Sequence, residues 1–487
     1  MPMNRRELLV ILAITSFYQV GQLLTGTDAA AASLLSLAIL FGLLSVFAGG
    51  GLKSAFGCLN AILIAKFLLI GIAIKIFLLQ PADGTLNAPR TTALVMAIGF
   101  GGLLAGTMIQ AHLYCPQSWS MNQPFSDRML LSFSIVLFAA GYLGYFAAMI
   151  PATQGAGIQT GGWLGIARTL GSLKSLSIVP ALLYLWRKDA RRWLTHPVIL
   201  GMLMWCTVVG IFSTTKQDAM EPLAFYAFIG FLRYGWRDMR LWSVVTVAAL
   251  YFALVVFPYS QYIRDAGGRE GTFEHRAEVT MDAFLRMNSN QEFRSTVVQR
   301  VSKDASYFEI PALAPFTRFA MVGEADNLIS ATERKQAFTG WETITWGFKL
   351  LTPSILYPNK PIFESGNYLG HIGDELNPSD KTTQISYGVM ANLYNAFSFA
   401  GVAIGSTLFF AGFYYWIRIF LGEATSDGMP STSTLWFIWL IASYQHSIVE
   451  SSLAGLIASL LFPVVVAVLY MSAKGLCMLL PQEIAQI

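Results

Sequence analysis

Charge is scarce in this sequence: only 12% of its 487 residues are Asp, Glu, Lys or Arg, against roughly 25% in soluble domains. With 55% hydrophobic residues and a mean hydropathy of +0.54, the chain is excluded from the soluble globular class and reads as a polytopic membrane protein. Cysteine is scarce as well. Cys58, Cys115, Cys206 and Cys477 all lie in or beside apolar runs, with no CxxC pair and no disulfide framework; they read as small hydrophobes in helix packing. The short alternating segments of a β-barrel are missing, so the spans are α-helical, the form that satisfies every backbone group internally. There is no internal repeat of the inverted-repeat transporter kind, no low-complexity tract and no nucleotide-binding signature. The run Gly49 to Gly51 precedes Leu52 and Lys53 without the rest of a P-loop and reads as a turn. No nucleic-acid partner is expected. No A-x-A-like site closes the first apolar run, which reads as an anchor and not a cleaved signal.

What is present in abundance is apolar runs of spanning length. They read as Leu8 to Leu24, Ala29 to Phe47, Ala55 to Leu79, Thr92 to Tyr114, Leu130 to Ile150, Trp163 to Trp186, Pro197 to Phe212, Ala219 to Leu232, Leu241 to Tyr259, Phe397 to Phe420, Thr434 to Ser452 and Gly455 to Leu479. That is about twelve spans, most of them near the ~20 residues a bilayer requires, with Ala219 to Leu232 short. Lys and Arg favour the cytoplasmic side of short loops. Arg5 and Arg6, then Arg187, Lys188, Arg191 and Arg192, then Arg233, Arg237 and Arg240 place both termini in the cytoplasm. The loop after Tyr259 then faces outward.

The chain divides accordingly into an N-terminal bundle over 1–259 with about nine spans, a large extracytoplasmic cap over 260–396, and a C-terminal bundle over 397–487 with about three. The cap is polar, basic and mostly helical in pattern. Phe293, Val297 and Val301 recur at helical spacing beside Arg286, Arg294, Arg300 and Lys303. Trp341, Ile344, Phe348 and Leu351 share a side of a second amphipathic stretch, a pattern that suits the membrane interface.

Charges inside the apolar runs face a partner or a cavity when they are not close enough to an end to snorkel. Lys66 falls within the third span and Lys75 near its end; Arg168 and Lys174 fall in or near the sixth. Lys216, beside Thr214, Thr215 and Gln217, sits at the outer boundary of the seventh as a candidate ligand for an anionic group. A basic cavity at membrane level suits phosphate, since Arg offers a planar fork and Lys a point charge. Tyr307, Trp341, Tyr357 and Tyr368 are candidates for stacking on sugar rings, with loop packing as the alternative for each.

The segment TPSILYPNKP, Thr352 to Pro361, followed by GNYLGHIGDELNPSDKTTQISYGVMANLYNAFSFAGVAIGS, resembles the signature of Wzy-type oligosaccharide repeat-unit polymerases of O-antigen and exopolysaccharide biosynthesis. A proline-rich turn ending in Lys-Pro precedes a polar stretch, and a span then opens on an aromatic, Asn and Gly pattern. The likeness covers about Gly340 to Gly405 by motif. Asn392 and Leu393 stand before Tyr394 where many such polymerases have Glu, and Lys216 stands where Arg is common.

The resemblance implies an all-α, GT-C-like, multi-pass protein of the bacterial inner membrane, in the superfamily that includes O-antigen ligases. It implies an inverting transfer, without metal or other cofactor, of the growing glycan from undecaprenyl diphosphate to the non-reducing-end hydroxyl of an incoming lipid-linked repeat. Donor and acceptor are then both undecaprenyl-diphosphate-linked oligosaccharides, with a chain-length regulator and a flippase as expected partners. Such a step requires that the departing diphosphate be held, its growing charge stabilised and the acceptor hydroxyl aimed.

Candidates for holding the diphosphate are Lys216, Arg264, Arg318, Lys360 and Lys381, with Lys360 alternatively a tie beneath its proline turn. Arg264 and Lys360 are also placed with His371 as catalytic candidates. A histidine is the usual base near neutral pH, and His371 follows the Lys-Pro turn, whereas His275 lies among solvent-facing charges and His112 and His196 towards the cytoplasm. Glu364, Asp374 and Glu375 are reserve bases. His446 and Glu450 share one face of the eleventh span, as a buried tether or as part of the cavity floor with Tyr394. Glu324 and Asp326 form an acidic E-x-D pair that reads as loop solvation, and Asp28 lies in a loop too short for the catalytic carboxylate of another membrane glycosyltransferase class. An O-antigen ligase shares the architecture and differs in acceptor. A polysaccharide or lipid transporter would instead carry its charge through the mid-membrane.

Overall fold

The computed structural model describes residues 5–113, 126–152, 167, 170–171, 173–188, 196–212, 216–235, 238–251, 256, 259, 262–263, 273–302, 307–352, 357, 365–380, 384–426 and 431–479; at 148–152, 211–212, 216–220, 240, 273–274, 276–277, 298–302, 311–312, 314–315, 445–447 and 479 the backbone alone is described. Among these residues the secondary structure is helical, with a single isolated bridge between Ser54 and Thr425. We number the helices α1 Arg5–Leu24, α2 Ala29–Ala48, α3 Ala55–Phe77, α4 Pro89–His112, α5 Asp127–Ala152, α6 Ile178–Arg187, α7 Pro197–Phe212, α8 Lys216–Tyr234 and α9 Met239–Tyr251. The segment expected to form the cap, called the cap below, contributes α10 Phe273–Ser289, α11 Gln291–Ser302, α12 Met321–Lys335, α13 Glu342–Leu351 and α14 Ser365–Ile372. The chain closes with α15 Gly388–Ala400, α16 Ser406–Leu421, α17 Thr432–Glu450, α18 Leu453–Ala458 and α19 Phe462–Leu479.

Seven helical stretches among the described residues are long and apolar enough to cross a membrane, and three shorter apolar helices, Ser175–Arg187, Pro197–Gly210 and Leu241–Tyr251, accompany them. The protein is therefore membrane-embedded and multi-pass. The helices expected from Ala219 and Thr434 are present as the 19-residue α8 and α17. The expected sixth span, from Trp163 to Trp186, is helical over its second half as Ser175–Arg187, while much of its first half falls outside the described residues.

Close helix packing in a membrane depends on small residues and on buried polar pairs, because lipid offers no hydrophobic drive between helices. Both are found here. On α4, a Cβ added at Gly106 would stand 2.7 Å from the carbonyl oxygen of Thr407 and 2.9 Å from the amide of Ala411, so α16 lies backbone-close to this face. Asn60 on α3 donates to the Ser45 carbonyl at 2.9 Å and to Thr107 Oγ1 at 3.2 Å, and accepts from the Tyr414 hydroxyl at 2.6 Å. One buried amide thus ties α2, α3, α4 and α16. The short α1–α2 link is capped by Asp28, which accepts from the Ala31 amide at 3.3 Å and from the Arg90 guanidinium at 3.0 and 3.1 Å. Its role is to fasten helix ends.

Two helices are irregular where they approach the cap. In α3, residues Ala65–Leu69 form a π turn that contains Lys66; such one-residue insertions are concentrated at functional sites. Within the last turn of α15, Phe397 (φ −142°, ψ 25°) and Ser398 (φ 57°, ψ −152°) break the helix, at the position where the tenth span was expected to open. Ahead of the break α15 is buried from Gly388 to Ala396. Its freed carbonyls are not left orphaned: Thr339 and Gly340 amides donate to Asn395 and Ala396 at 3.0 and 3.1 Å. The cap is thereby plugged into the break.

The two amphipathic stretches of the cap are buried through different kinds of residue. Val297 is buried with Tyr259, Ile263 and Met287, as expected, and Phe293 packs beside them. In α13, however, the buried positions are Thr343 and Gly347. A Cβ at Gly347 would meet Ile457 Cδ1 at 2.7 Å, so α13 leans on α18 through its smallest residues. Trp341 and Phe348 are left exposed.

Candidate functional site

The cap's 3-10 segment Pro311–Phe319, α12 and the loop after α14 converge on the π turn of α3 and the end of α17. Glu450, in the last turn of α17, has a side chain only 4% exposed and is gripped from two elements: Lys66 Nζ lies 3.2 Å from Oε1 and Arg318 Nη1 lies 2.8 Å from Oε2. A carboxylate so far from water persists as an ion only when its partners are fixed. The two cations differ in access, since the Lys66 side chain is 16% exposed and that of Arg318 is 53% exposed. Glu450 thus holds Arg318 by one edge while the rest of the guanidinium stays open.

Beside Arg318 stands a second carboxyl pair. Glu324, one turn into α12, is hydrogen-bonded to Glu375 in the loop after α14. Glu375 also accepts from the Tyr387 hydroxyl at 2.7 Å and from the Asn327 side-chain amide. Two carboxyl groups bond only when a proton lies between them. Burial pushes Glu324 up to about 7, the Glu375 charge adds to the rise, and Arg318 opposes it. Glu375 is raised too, by burial first.

This corrects the reading of Glu324 and Asp326 as solvated loop residues. Asp326 is fully buried and accepts from the Asn87 amide at 2.5 Å, the Ala88 amide at 3.0 Å and Thr92 Oγ1 at 2.7 Å. It caps the start of α4, where three donors converge on one carboxylate. Burial is the largest influence on its titration and raises it, with those hydrogen bonds opposing. Glu324 carried a legible signal: with Met321 and Leu328 it occupies one helical face, i, i+3 and i+7, and that face is apolar.

The remaining sequence candidates are distributed as follows. Arg318 and Glu450 meet directly. His371 Nε2 lies 2.9 Å from the Asp380 carbonyl oxygen, and Tyr394 donates to Glu333 Oε1 at 2.8 Å. Asp374 pairs with Arg334 at 2.6 Å and with Lys335, which holds its carboxyl below the usual range, the Lys335 hydrogen bond first. Arg264, Lys360, Lys381, Glu364 and Arg168 lie outside the described residues. Lys216 opens α8 and His446 lies in α17, and neither side chain is among those described.

Two further expectations are corrected by burial. Lys75 does not snorkel: it is 1% exposed, donates to Thr85 Oγ1 at 3.3 Å and sits 4.8 Å above the Tyr307 ring. Tyr307 is itself buried, with its hydroxyl on the Ala82 carbonyl at 3.1 Å, so its ring faces a lysine and not a sugar. Lys174 is likewise buried, 4.7 Å from the Tyr145 ring. Tyr368 is tied to Glu342 at 2.9 Å.

Family models, curated proteins and solved structures return no match to the chain. The chemistry of the site therefore rests on its own residues. It joins an anchored cation with an open face to a carboxyl poised to exchange a proton near neutral pH. No group of three or more His, Cys, Asp or Glu among the described residues is arranged to hold a metal ion.

Proposed function

We propose that the protein is a glycosyltransferase of the bacterial inner membrane that polymerises undecaprenyl-diphosphate-linked oligosaccharide repeats. In this reading about twelve spans carry a periplasmic cap, both termini are cytoplasmic, and a flippase and chain-length regulator act beside it. The observation that carries the reading is the half-open Arg318 guanidinium, held on buried Glu450 where the cap meets the membrane helices.

A lipid diphosphate presents its charge at this depth, and a planar fork fixed along one edge can accept phosphate oxygens along the other. Lys66 keeps Glu450 compensated when Arg318 turns to the substrate. As the anomeric bond breaks, charge grows on the diphosphate, and a cation that is already in place stabilises it without reorganisation. The motif from Thr352 to Pro361 adds Lys360 as a further cation in the proposal, with Lys216, Arg264 and Lys381.

Reconstitution with a purified lipid-linked repeat tests the reading. Wild-type protein is expected to build a ladder of glycan lengths in the presence of a chelator, and Arg318→Ala to lose it while still inserting. A wild-type protein that leaves the repeats unlinked, or an Arg318→Ala protein with an unchanged ladder, overturns it. Supplying lipid A core in place of a second repeat separates a ligase, which would consume that acceptor instead.

A further inference from the structure

We propose that Glu324 is the catalytic base of this site, taking the proton of the acceptor hydroxyl, and that Glu375 is the positioning residue that holds Glu324 and receives its hydrogen bond. The inference rests on the glycosyl-transfer reading and assigns within it the group that activates the acceptor.

Three placements support it. Glu324 is enclosed but retains some exposed surface, and it stands one turn before Asn327, whose side-chain amide donates to Glu375. The 3-10 segment that carries Arg318 runs directly into α12, which carries Glu324, and both pack on the π turn of α3, so the base and the cation proposed to hold the leaving group share one neighbourhood. Glu375 is itself fixed by Tyr387 and Asn327, so the Glu324 carboxyl has an oriented neighbour to receive its hydrogen bond. In contrast, His371 has its Nε2 engaged with a backbone carbonyl.

The acceptor O–H gives its proton to ionised Glu324, its oxygen forms the new bond to the anomeric carbon, and the bond from that carbon to the diphosphate oxygen breaks with its electron pair. Undecaprenyl diphosphate departs, and Glu324 is left protonated and hydrogen-bonded to Glu375, the arrangement described above. Loss of that proton to water restores the base.

The charged and titratable groups around Glu324 come from several elements: Glu375 and Tyr387 from the loop and the start of α15, Arg318 from the 3-10 segment, Glu450 from α17 with Lys66 from α3 behind it, and Asp326 on α12 itself. Burial and the negative Glu375 raise Glu324 to about 7. The ionised, active form thus increases as pH rises through neutrality.

The test is the initial rate of chain growth by the full-length reconstituted protein, measured from mildly acid to mildly alkaline pH. Wild-type kcat is expected to climb through about pH 7. Glu324→Gln, which keeps size and polarity, is expected to lose roughly 10²–10⁴-fold in kcat, with KM little changed and the climb abolished. Glu375→Gln removes the negative neighbour, so the climb should move to lower pH while chain growth continues. This shift is one that a merely structural residue would not produce.

An active wild type whose rate and pH profile survive Glu324→Gln sinks the base assignment alone and leaves the glycosyl-transfer reading standing. A wild type that does not extend the repeat sinks both. If Glu324→Gln fails to insert, the Glu375→Gln profile decides: an unmoved climb overturns the proposal.

Discussion

Arg318 in the cap and Glu450 in α17 are joined at 2.8 Å, although the arginine side chain is 53% exposed and the glutamate only 4%. The contact therefore couples a solvent-facing group to a buried one, and the two ends respond differently to mutation.

Removing the buried end should be costly. Glu450→Ala leaves Lys66 without its counter-charge in the bundle, and breaking a buried ion pair in this way costs about 3–5 kcal/mol. Thermal unfolding in detergent checks it, and the double variant Glu450→Ala with Lys66→Met is expected to recover much of the loss, because the cation then left without its partner, Arg318, faces solvent.

Altering the exposed end should spare the fold and affect binding. Arg318→Lys keeps the charge and gives up the planar fork; at ~1.5–3 kcal/mol for a charged hydrogen bond, KM for the lipid-linked repeat should rise roughly 10–100-fold. A KM within twofold of wild type, measured in the same vesicles, would count against diphosphate contact at this residue.

Stability should depend on pH through Glu324. Its folded-state value is raised from 4.5 to about 7, so the folded form binds the proton more tightly than the unfolded one. The resulting stabilisation is fully present below about 4.5 and is lost as pH rises through about 7. Melting temperature should therefore fall across that window, and Glu324→Gln should flatten the fall. A flat wild-type curve would contradict the burial described for this carboxyl.

Packing at α4 provides a further check. Gly106→Val drives side-chain atoms into the α16 backbone, which lies 2.7 and 2.9 Å from a Cβ at that site, and overpacking of this kind costs about 1–3 kcal/mol. Lower yield of folded protein and a reduced melting temperature are expected, with Gly412→Ala, where nothing lies within 4 Å of the added Cβ, as a neutral control.

Helix positions were largely legible because apolar run length is a local property. The run expected from Pro197 to Phe212 is helical over those residues. Ion partners were not legible, because they come from distant parts of the chain. Helical spacing ties Glu450 to His446, whereas its described partners are Lys66 and Arg318, 384 and 132 residues away. Counting charge along a loop suggested that Glu324 and Asp326 face water, but α12 packs against α4 and α15, which buries Asp326 fully and Glu324 in part. Lys75 misled in the same way. Nearness to a helix end permits snorkelling, and only the tertiary placement of Tyr307 and Thr85 supplies the alternative.

The π turn at Ala65–Leu69 has a consequence for the two lysines of α3. One surplus residue in a helix rotates everything beyond it by about 100° relative to a regular winding. Lys66 lies in that turn and Lys75 beyond it, so the extra residue acts as a phase adjuster. It lets a single helix aim one cation at Glu450 and the other at the Tyr307 ring. Deleting one residue there would keep the helix and its hydropathy while swinging Lys75 out of register with its partners.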